Sequence, residues 1–306
     1  MPLDPHRLLV LRAVRRAGGV LPAARALHLT PSGVSQHLSK LEAEAGVPLV
    51  DRTRRGGGRT LTLTPAGRAL ADQAEHLATA MSSAERELDR FKEHRGGTVR
   101  VGGFAAALDR LAAPAILSLS LTDPGIDPRT FELAEKDGLD LLATGELDLL
   151  LSERPGPIDL ARPSGVRESD LMHDPFRIVV PQAWPAEDPA GLLARPWIVG
   201  NQHPTRRALE GLAVAHGITL DVRHIGYNST TMLALVSAGL GAAIIPALTL
   251  APQLPGSVRV HTGPPDVGSR TLTLLHAAET DPPSVERFAQ ELRTQAFAVE
   301  QAPHIE

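Results

Sequence analysis

The 306-residue sequence predicts an α/β protein made of a helical N-terminal head, one long connecting helix and a larger body in which strands and helices alternate. Three observations carry this prediction. Leu21 to Glu42 reads as two short helices joined by a tight turn. From Leu70 to Phe91 apolar residues recur at alternating spacings of four and three. Beyond Gly96-Gly97 short strand-like runs alternate with helical ones.

In the head, Pro5 to Ala17 places Leu8, Leu9, Leu11 and Val14 at helical spacing, and Gly18-Gly19 stops that support helix. A second helix over Val20 to Leu27 is Ala-rich, so another helix can cross it closely. Leu21, Ala24 and Leu27 are expected to face inward, with Leu29 filling the corner. Thr30 and Pro31 then start a third helix, an N-cap hydroxyl followed by proline at the first helical position. Val34, Leu38 and Leu41 form its inner stripe, which leaves Ser32, Ser35, Gln36, Ser39 and Lys40 outside. Hydroxyl and amide groups donate and accept at base edges, and Lys40 can reach a phosphate, so this face suits the major groove of double-stranded DNA. An ordinary amphipathic helix with a solvated side has the same pattern.

Gly46 to Arg52 and Arg59 to Thr64 are two short β-like runs, the second with Leu61 and Leu63 inward and Thr60, Thr62 and Thr64 outward, and together they predict a hairpin wing. Arg52, Arg54, Arg55 and Arg59 cluster on it, where guanidinium groups can clamp phosphates, enter a minor groove, or remain on a solvated loop. Charge is divided along the chain. Residues 1–68 hold eleven Lys and Arg against four acidic residues, a net of +7 within a total of −4, so the remainder carries −11. A basic head on an acidic body is the electrostatic footprint of a modular nucleic-acid binder.

Three blocks in order, Leu29-Thr-Pro-Ser-Gly-Val-Ser-Gln-His-Leu-Ser-Lys-Leu-Glu42, Gly46-Val-Pro-Leu-Val-Asp-Arg52 and Leu63-Thr-Pro-Ala-Gly67, resemble the N-terminal signature of LysR-type transcriptional regulators. The resemblance extends over the whole chain, and one departure is the wing tip, Arg54 to Arg59, which is longer and more Gly-rich than the family's usual turn. It implies a winged helix-turn-helix over residues 1–65, a linker and dimerisation helix over 66–95, and a two-lobed α/β effector domain like the periplasmic binding proteins. Lobe 1 would comprise 98–166 and 268–299, and lobe 2 residues 167–267. It further implies a cytoplasmic homodimer or homotetramer on a dyad-symmetric operator, with a small-molecule effector between the lobes. A constitutive DNA-binding repressor with a vestigial cleft is the alternative.

Thr64-Pro65 starts the long helix by the same hydroxyl-plus-proline device, and after Gly67 in its first turn neither Pro nor Gly follows until about Arg95. Leu70, Leu77, Ala84 and Phe91 form one row of a heptad seam, and Ala74, Met81 and Leu88 the other. About 29 residues span roughly 43 Å, more than one small domain covers, so the seam calls for a partner helix. Packing against the chain's own domains is the competing explanation.

The body reads as strands at Thr98 to Gly102, Arg129 to Ala134, Leu147 to Leu151, Phe176 to Val180, Trp197 to Val199, Asp221 to Tyr227, Ala242 to Ile245 and Thr271 to Leu275. Helices are expected at Ala105 to Leu119, Gly138 to Thr144, Pro204 to His216, Thr230 to Ala238 and Ser284 to Ala298. Such alternation implies a parallel sheet covered on both faces. By the resemblance, crossovers near 163–168 and 264–270 act as hinges. Ligands of open sheets bind beyond the carboxyl ends of strands. The loops reaching that position supply Gly103, Phe104, Ala105, Glu135, Asn201, Gln202, His203, Asn228, Thr230 and Pro246 as candidate effector contacts. Where the family often has a hydroxyl on each of the first two loops, this chain has Ala105, Ala106 and Glu135, which makes a simple carboxylate effector less assured.

Catalysis finds little support. There is no Gly-x-Ser-x-Gly elbow, no phosphate-cradling loop and no His-Glu-x-x-His helix, so neither an enzymatic activity nor a cofactor is expected. The absence of Cys excludes disulfides and thiolate metal sites, and the twelve His are scattered without ligand spacing. No run of about 18 apolar residues is apparent, so no membrane span is expected.

Overall fold

The computed structural model describes residues 2–51, 62–89, 96–154, 162–163, 165–185, 188–200, 204–250, 254–277 and 282–302. Two compact units result, residues 1–91 with 144–146, and the remainder of 92–306.

The first unit begins with α1 (Pro5–Arg16), whose first turn is capped by Asp4 accepting from the His6 amide at 2.9 Å. Next come α2 (Val20–Ala26) and α3 (Pro31–Ala45). The tight turn between them places His28 at φ 53, a left-handed conformation rarely adopted outside Gly. Thr30 caps α3 by accepting from the Gly33 amide at 3.1 Å, as its Thr-Pro start predicts. Val34, Leu38 and Leu41 are buried against α1 and α2. The inner face of α2 differs from expectation. Leu21 is 44 % exposed and Leu29 37 %, while Ala23 and Ala24 are buried with Val20 and Leu27 beside them. The close crossing that Ala permits turns the helix so that small residues, not Leu21, meet the core.

Among the described residues the wing root is a two-residue ladder, β1 (Val50–Asp51) antiparallel to β2 (Thr62–Leu63). Glu42 of α3 accepts from the Leu49 and Val50 amides at 2.9 and 3.1 Å, fastening this root to the third helix. The long helix α4 (Pro65–Asp89) starts beneath it. Any Cβ on Gly67 would lie 2.0 Å from the Leu49 carbonyl oxygen, so the Thr-Pro-Ala-Gly motif ends in the one residue that lets helix and wing root touch.

Along α4 the proposed seam divides. Ala71, Ala74 and Ala78 are buried, and α4 lies along α1, so its first half packs within its own chain. Arg12 and Arg16 each reach Glu75, at 2.7 and 2.9 Å, and Arg15 pairs with Asp72. Met81 and Leu88 are exposed, at 46 % and 65 %, so only the second half presents an open apolar row. Phe91, the last seam position, lies outside the described residues.

The second unit opens with β3 (Gly97–Gly103) and a continuous helix made of α5 (Ala105–Ala107), a π segment (Leu108–Ala112) and α6 (Ala113–Thr122). By length and composition alone Ala105–Thr122 could cross a membrane, but Asp109 and Arg110 interrupt its apolar run, in keeping with the sequence expectation. Its Leu111, Ala115 and Leu119 are instead buried in the core of this unit. The chain continues through β4 (Ile126–Glu132), α7 (Glu135–Ala143), β5 (Leu149–Arg154) and β6 (Arg167–Pro181). Next come α8 (Pro189–Leu193), β7 (Pro196–Gly200), α9 (Pro204–His216), β8 (Asp221–Gly226), α10 (Ser229–Ser237) and β9 (Ala243–Pro246). The last elements are β10 (Val258–Val260), β11 (Ser269–His276) and α11 (Pro283–Gln301).

The sheet is mixed, not parallel as expected. β4, β3 and β5 run parallel, whereas β11 is antiparallel to both β5 and β6, because it returns to the first lobe from the opposite end. Among the described residues only the last two of each predicted hinge segment are strand, and the return crossing falls within or just after the second, since Val267 is buried in the second lobe's core and Leu272 in the first's. β6 is continuous over fifteen residues, paired with β11 up to Pro175↔Ser269 and with β9 from Phe176↔Pro246. Met172 is buried in the first lobe's core and Phe176 in the second's, so the chain passes between lobes near Asp174 to Phe176, later than the boundary at 166/167.

Each lobe has its own cores. In the first, Leu149 and Leu151 of β5 face the Ala105–Thr122 helix and α11, while Leu150 faces α7 with Leu139 and Leu142. In the second, Trp197 and Leu209 anchor one face and Met232, Val236 and Ile245 the other.

Candidate functional site

On α3 the outer face is as the helical period requires: Thr30, Pro31, Ser32, Ser35, Gln36, Ser39 and Lys40 are all exposed. Some hydroxyls have local partners. Ser35 donates to the Pro31 carbonyl at 3.0 Å, and the Thr30 and Ser32 hydroxyls lie 3.1 Å apart. A bonded hydroxyl keeps its lone pairs as acceptors, so these bonds orient Ser35 without removing it from the face. His37 turns inward and meets His6 edge-on, ring centroids 5.1 Å apart.

The head's positive charge is less free than its sequence count. Arg7 pairs with Asp4 and Glu44, Arg12 and Arg16 with Glu75, and Arg15 with Asp72. Lys40 therefore carries more of the outward charge than composition suggests. Arg52, Arg54, Arg55 and Arg59 lie outside the described residues.

In the second unit a cavity of about 680 Å³ opens at the carboxyl ends of the strands. Seven of the ten expected contacts line it: Gly103, Phe104, Ala105, Glu135, Asn228, Thr230 and Pro246. Asn201, Gln202 and His203 lie outside the described residues. Asn228 is chiefly structural, since its side-chain oxygen caps α10 by accepting from the Thr231 amide at 2.8 Å. Thr230 is exposed at the cavity rim.

The groups that dominate this cavity were missed by sequence reasoning. Arg270 of β11 is 3 % exposed and lies over the Phe104 ring, 5.0 Å from its centroid. Its Nε donates to Asp174 at 2.8 Å and its Nη1 to Glu153, while the buried Nη2 has no hydrogen-bond partner among the described residues. The other oxygen of Asp174 accepts from the Leu248 amide at 2.8 Å, which ties the pair to the turn after β9. Burial pushes the Glu153 carboxyl above its ordinary value, against the opposing pull of Arg270.

Glu135, at the start of α7, accepts from Ser152 at 2.5 Å and from Arg162 at 3.0 Å through Oε1. Its Oε2 is buried and has no partner among the described residues. Arg162 also bonds Glu168, at 3.2 Å; burial would raise the Glu168 pKa, but the bond from Arg162 and the positive charge of Arg162 and Arg154 hold it below the usual value. Among the described residues no three His, Asp or Glu side chains are grouped to hold a metal ion.

Comparison with known proteins assigns the two domains in which these residues lie. Residues 5–68 match the model of the bacterial regulatory helix-turn-helix proteins of the lysR family, and residues 92–297 match the LysR substrate binding domain. The chain belongs to the LysR family. Among LysR-type relatives it is 26 % identical to the probable HTH-type transcriptional regulator LrrA of Synechococcus elongatus, over 95 % of this chain and 96 % of that protein. It is 28 % identical to the HTH-type transcriptional regulator CbbR of Rhodospirillum rubrum, over 83 % of each. Solved structures share the fold. CbnR, a LysR family regulator, aligns at TM-score 0.64 and 20 % identity over 96 % of this chain and 99 % of that one. HinK from Pseudomonas aeruginosa aligns at 0.57 and 18 %, over 96 % and 99 %. The α3 face thus belongs to a LysR DNA-binding domain and the cavity to an effector-binding domain, in a transcriptional regulator and not an enzyme.

Proposed function

We propose that this LysR regulator is ligand-responsive, binding a dyad-symmetric operator in the cytoplasm as a homodimer or homotetramer and taking a small-molecule effector in the cavity between its lobes. The observation that carries the effector is the buried Arg270 Nη2, a charged donor left without a partner in the cavity wall. Leaving such a donor buried costs free energy that a ligand acceptor recovers. DNA contact falls to Ser32, Ser35, Gln36 and Lys40 with Thr30 and Pro31 at the helix start, and to the wing arginines Arg52, Arg54, Arg55 and Arg59. CbnR, which shares the fold, has also been solved with its target DNA, at TM-score 0.63. The domain limits remain those read from the sequence, with lobe 2 entered near Asp174.

The exposed row of Met81 and Leu88 is the dimer contact in this reading. Leu88→Glu adds a charge to a position 65 % exposed in one chain, so the fold is retained while association is lost, which equilibrium sedimentation detects. An unchanged oligomer in that variant would assign assembly to another surface. Footprinting upstream of the protein's own gene tests the operator: paired protected half-sites support the dyad, and protection independent of sequence counts against it.

A further inference from the structure

The cavity's unpartnered polar atoms lie on opposite faces of one strand end. Along β5, Leu149, Leu151 and Glu153 share the face covered by the Ala105–Thr122 helix, and Glu153 is bonded to Arg270, which stacks on Phe104. Leu150 and Ser152 share the other face, and Ser152 donates to Glu135. Arg270 and Glu135 thus line the cavity on either side of the β5 edge, and each holds one buried atom, Nη2 and Oε2, without a partner among the described residues. Between them the lining is apolar, with Leu133, Leu150, Leu151 and Ile244.

Charge adds to this polarity. The described lining contains Glu132, Glu135 and Glu153 against Arg270 as its only cation; Arg270 already answers Glu153 and Asp174, and Arg162 behind the lining answers Glu135 through Oε1, which leaves Glu132 as surplus negative charge. A bare anion entering here joins an excess of like charge, whereas a ligand bringing its own cation offsets it. The free Nη2 still calls for an acceptor, and the free carboxylate oxygen for a donor.

We propose that the cleft selects an amphoteric small molecule, with an ammonium group at Glu135 and a carboxylate at Arg270, in the manner of an α-amino acid. This rests on the reading of the cavity as an effector site. The two groups act as a pair. Either end alone leaves one buried atom of the wall unanswered, so amphoteric ligands bind more tightly than their halves.

The test uses the full-length protein in thermal-shift and calorimetric titrations with three sets of probes: the common L-amino acids, the matching acids without the amine, such as isocaproate and hydrocinnamate, and the matching amines without the carboxylate, such as isopentylamine and phenethylamine. The expected result is stabilisation by one or a few amino acids, with each matching half-molecule bound about tenfold more weakly or worse. Glu135→Gln keeps the size of the side chain and should reduce amino-acid affinity by about tenfold while leaving the amine-free acid unchanged. Arg270→Lys should bring the amino acid down to the affinity of its amine; should that variant fail to fold, Glu135→Gln decides. Acids that bind as tightly as amino acids, or a Glu135→Gln variant of unaltered selectivity, overturn the amphoteric assignment while leaving an effector site in place. If no probe of any charge class binds, the effector reading falls with it.

Discussion

The two sites solve opposite problems of solvation. On α3 the polar groups stand in water, drawn from one fifteen-residue helix, and their hydroxyls lean on neighbouring backbone. In the cavity they are gathered from β5, α7, β6 and β11, buried, and in part left without partners. A surface that reads a polymer keeps its groups hydrated and exchanges water for base edges on contact. A pocket for a small molecule gains affinity by holding desolvated groups in place beforehand. Alteration of the first should therefore affect binding and spare stability, whereas alteration of the second should affect both.

Arg270→Met is the strongest way to break this contrast. It leaves Glu153 and Asp174 buried without their cation, and urea unfolding should show a loss of roughly 3–5 kcal/mol at neutral pH. The loss should shrink on acidification. Glu153 already holds its proton above the usual 4.5, so the stability linked to that proton is fully present below 4.5 and is lost as pH rises. A variant as stable as wild type at neutral pH would show that the triad is not a closed charge network.

Next in size is Gly67→Ala, which drives a methyl group into the Leu49 carbonyl at the wing root; about 1–3 kcal/mol of overpacking is expected in the melting of the head. An intact melting temperature would mean that the wing root yields. Gln36→Ala is the converse case, with stability changed by less than about 0.5 kcal/mol and specific DNA binding weakened by about 1–3 kcal/mol in titrations against specific and random duplexes. Equal weakening on both duplexes would reassign Gln36 to backbone contact. The smallest effect is expected from Glu168→Gln. This carboxyl is held below its usual value, so its contribution is present above 4.5 and lost as pH falls; removing it should flatten the acid limb of the stability curve by less than about 1 kcal/mol.

The head was readable from sequence because its signals are local. Thr30-Pro31 and Thr64-Pro65 announce helix starts within two residues, and Val34, Leu38 and Leu41 repeat within one element. The first half of α4 was less readable, since Ala71, Ala74 and Ala78 suit α1 as well as they suit a second helix. In the body, the loop residues Phe104, Glu135 and Thr230 were legible because carboxyl ends of strands can be located from alternation alone. Arg270 and Asp174 were not, because their partnership depends on register between strands almost a hundred residues apart. Asp174-Pro175 has the look of a turn, which hid the middle of β6; the proline is tolerated where the strand exchanges β11 for β9.

That exchange governs how the two lobes are joined. At about 3.3 Å per residue, β6 is a rod of roughly 50 Å that passes through both lobes without a break. A flexible tether would let them swing freely, but a rod held by neighbouring strands along its length resists bending and yields most readily to winding about its own axis. Arg270 and Asp174 face each other across the ladder one residue before Pro175. A molecule gripping Arg270 on β11 therefore pulls, through Asp174, on the axle beside it, where a small turn is felt at both ends.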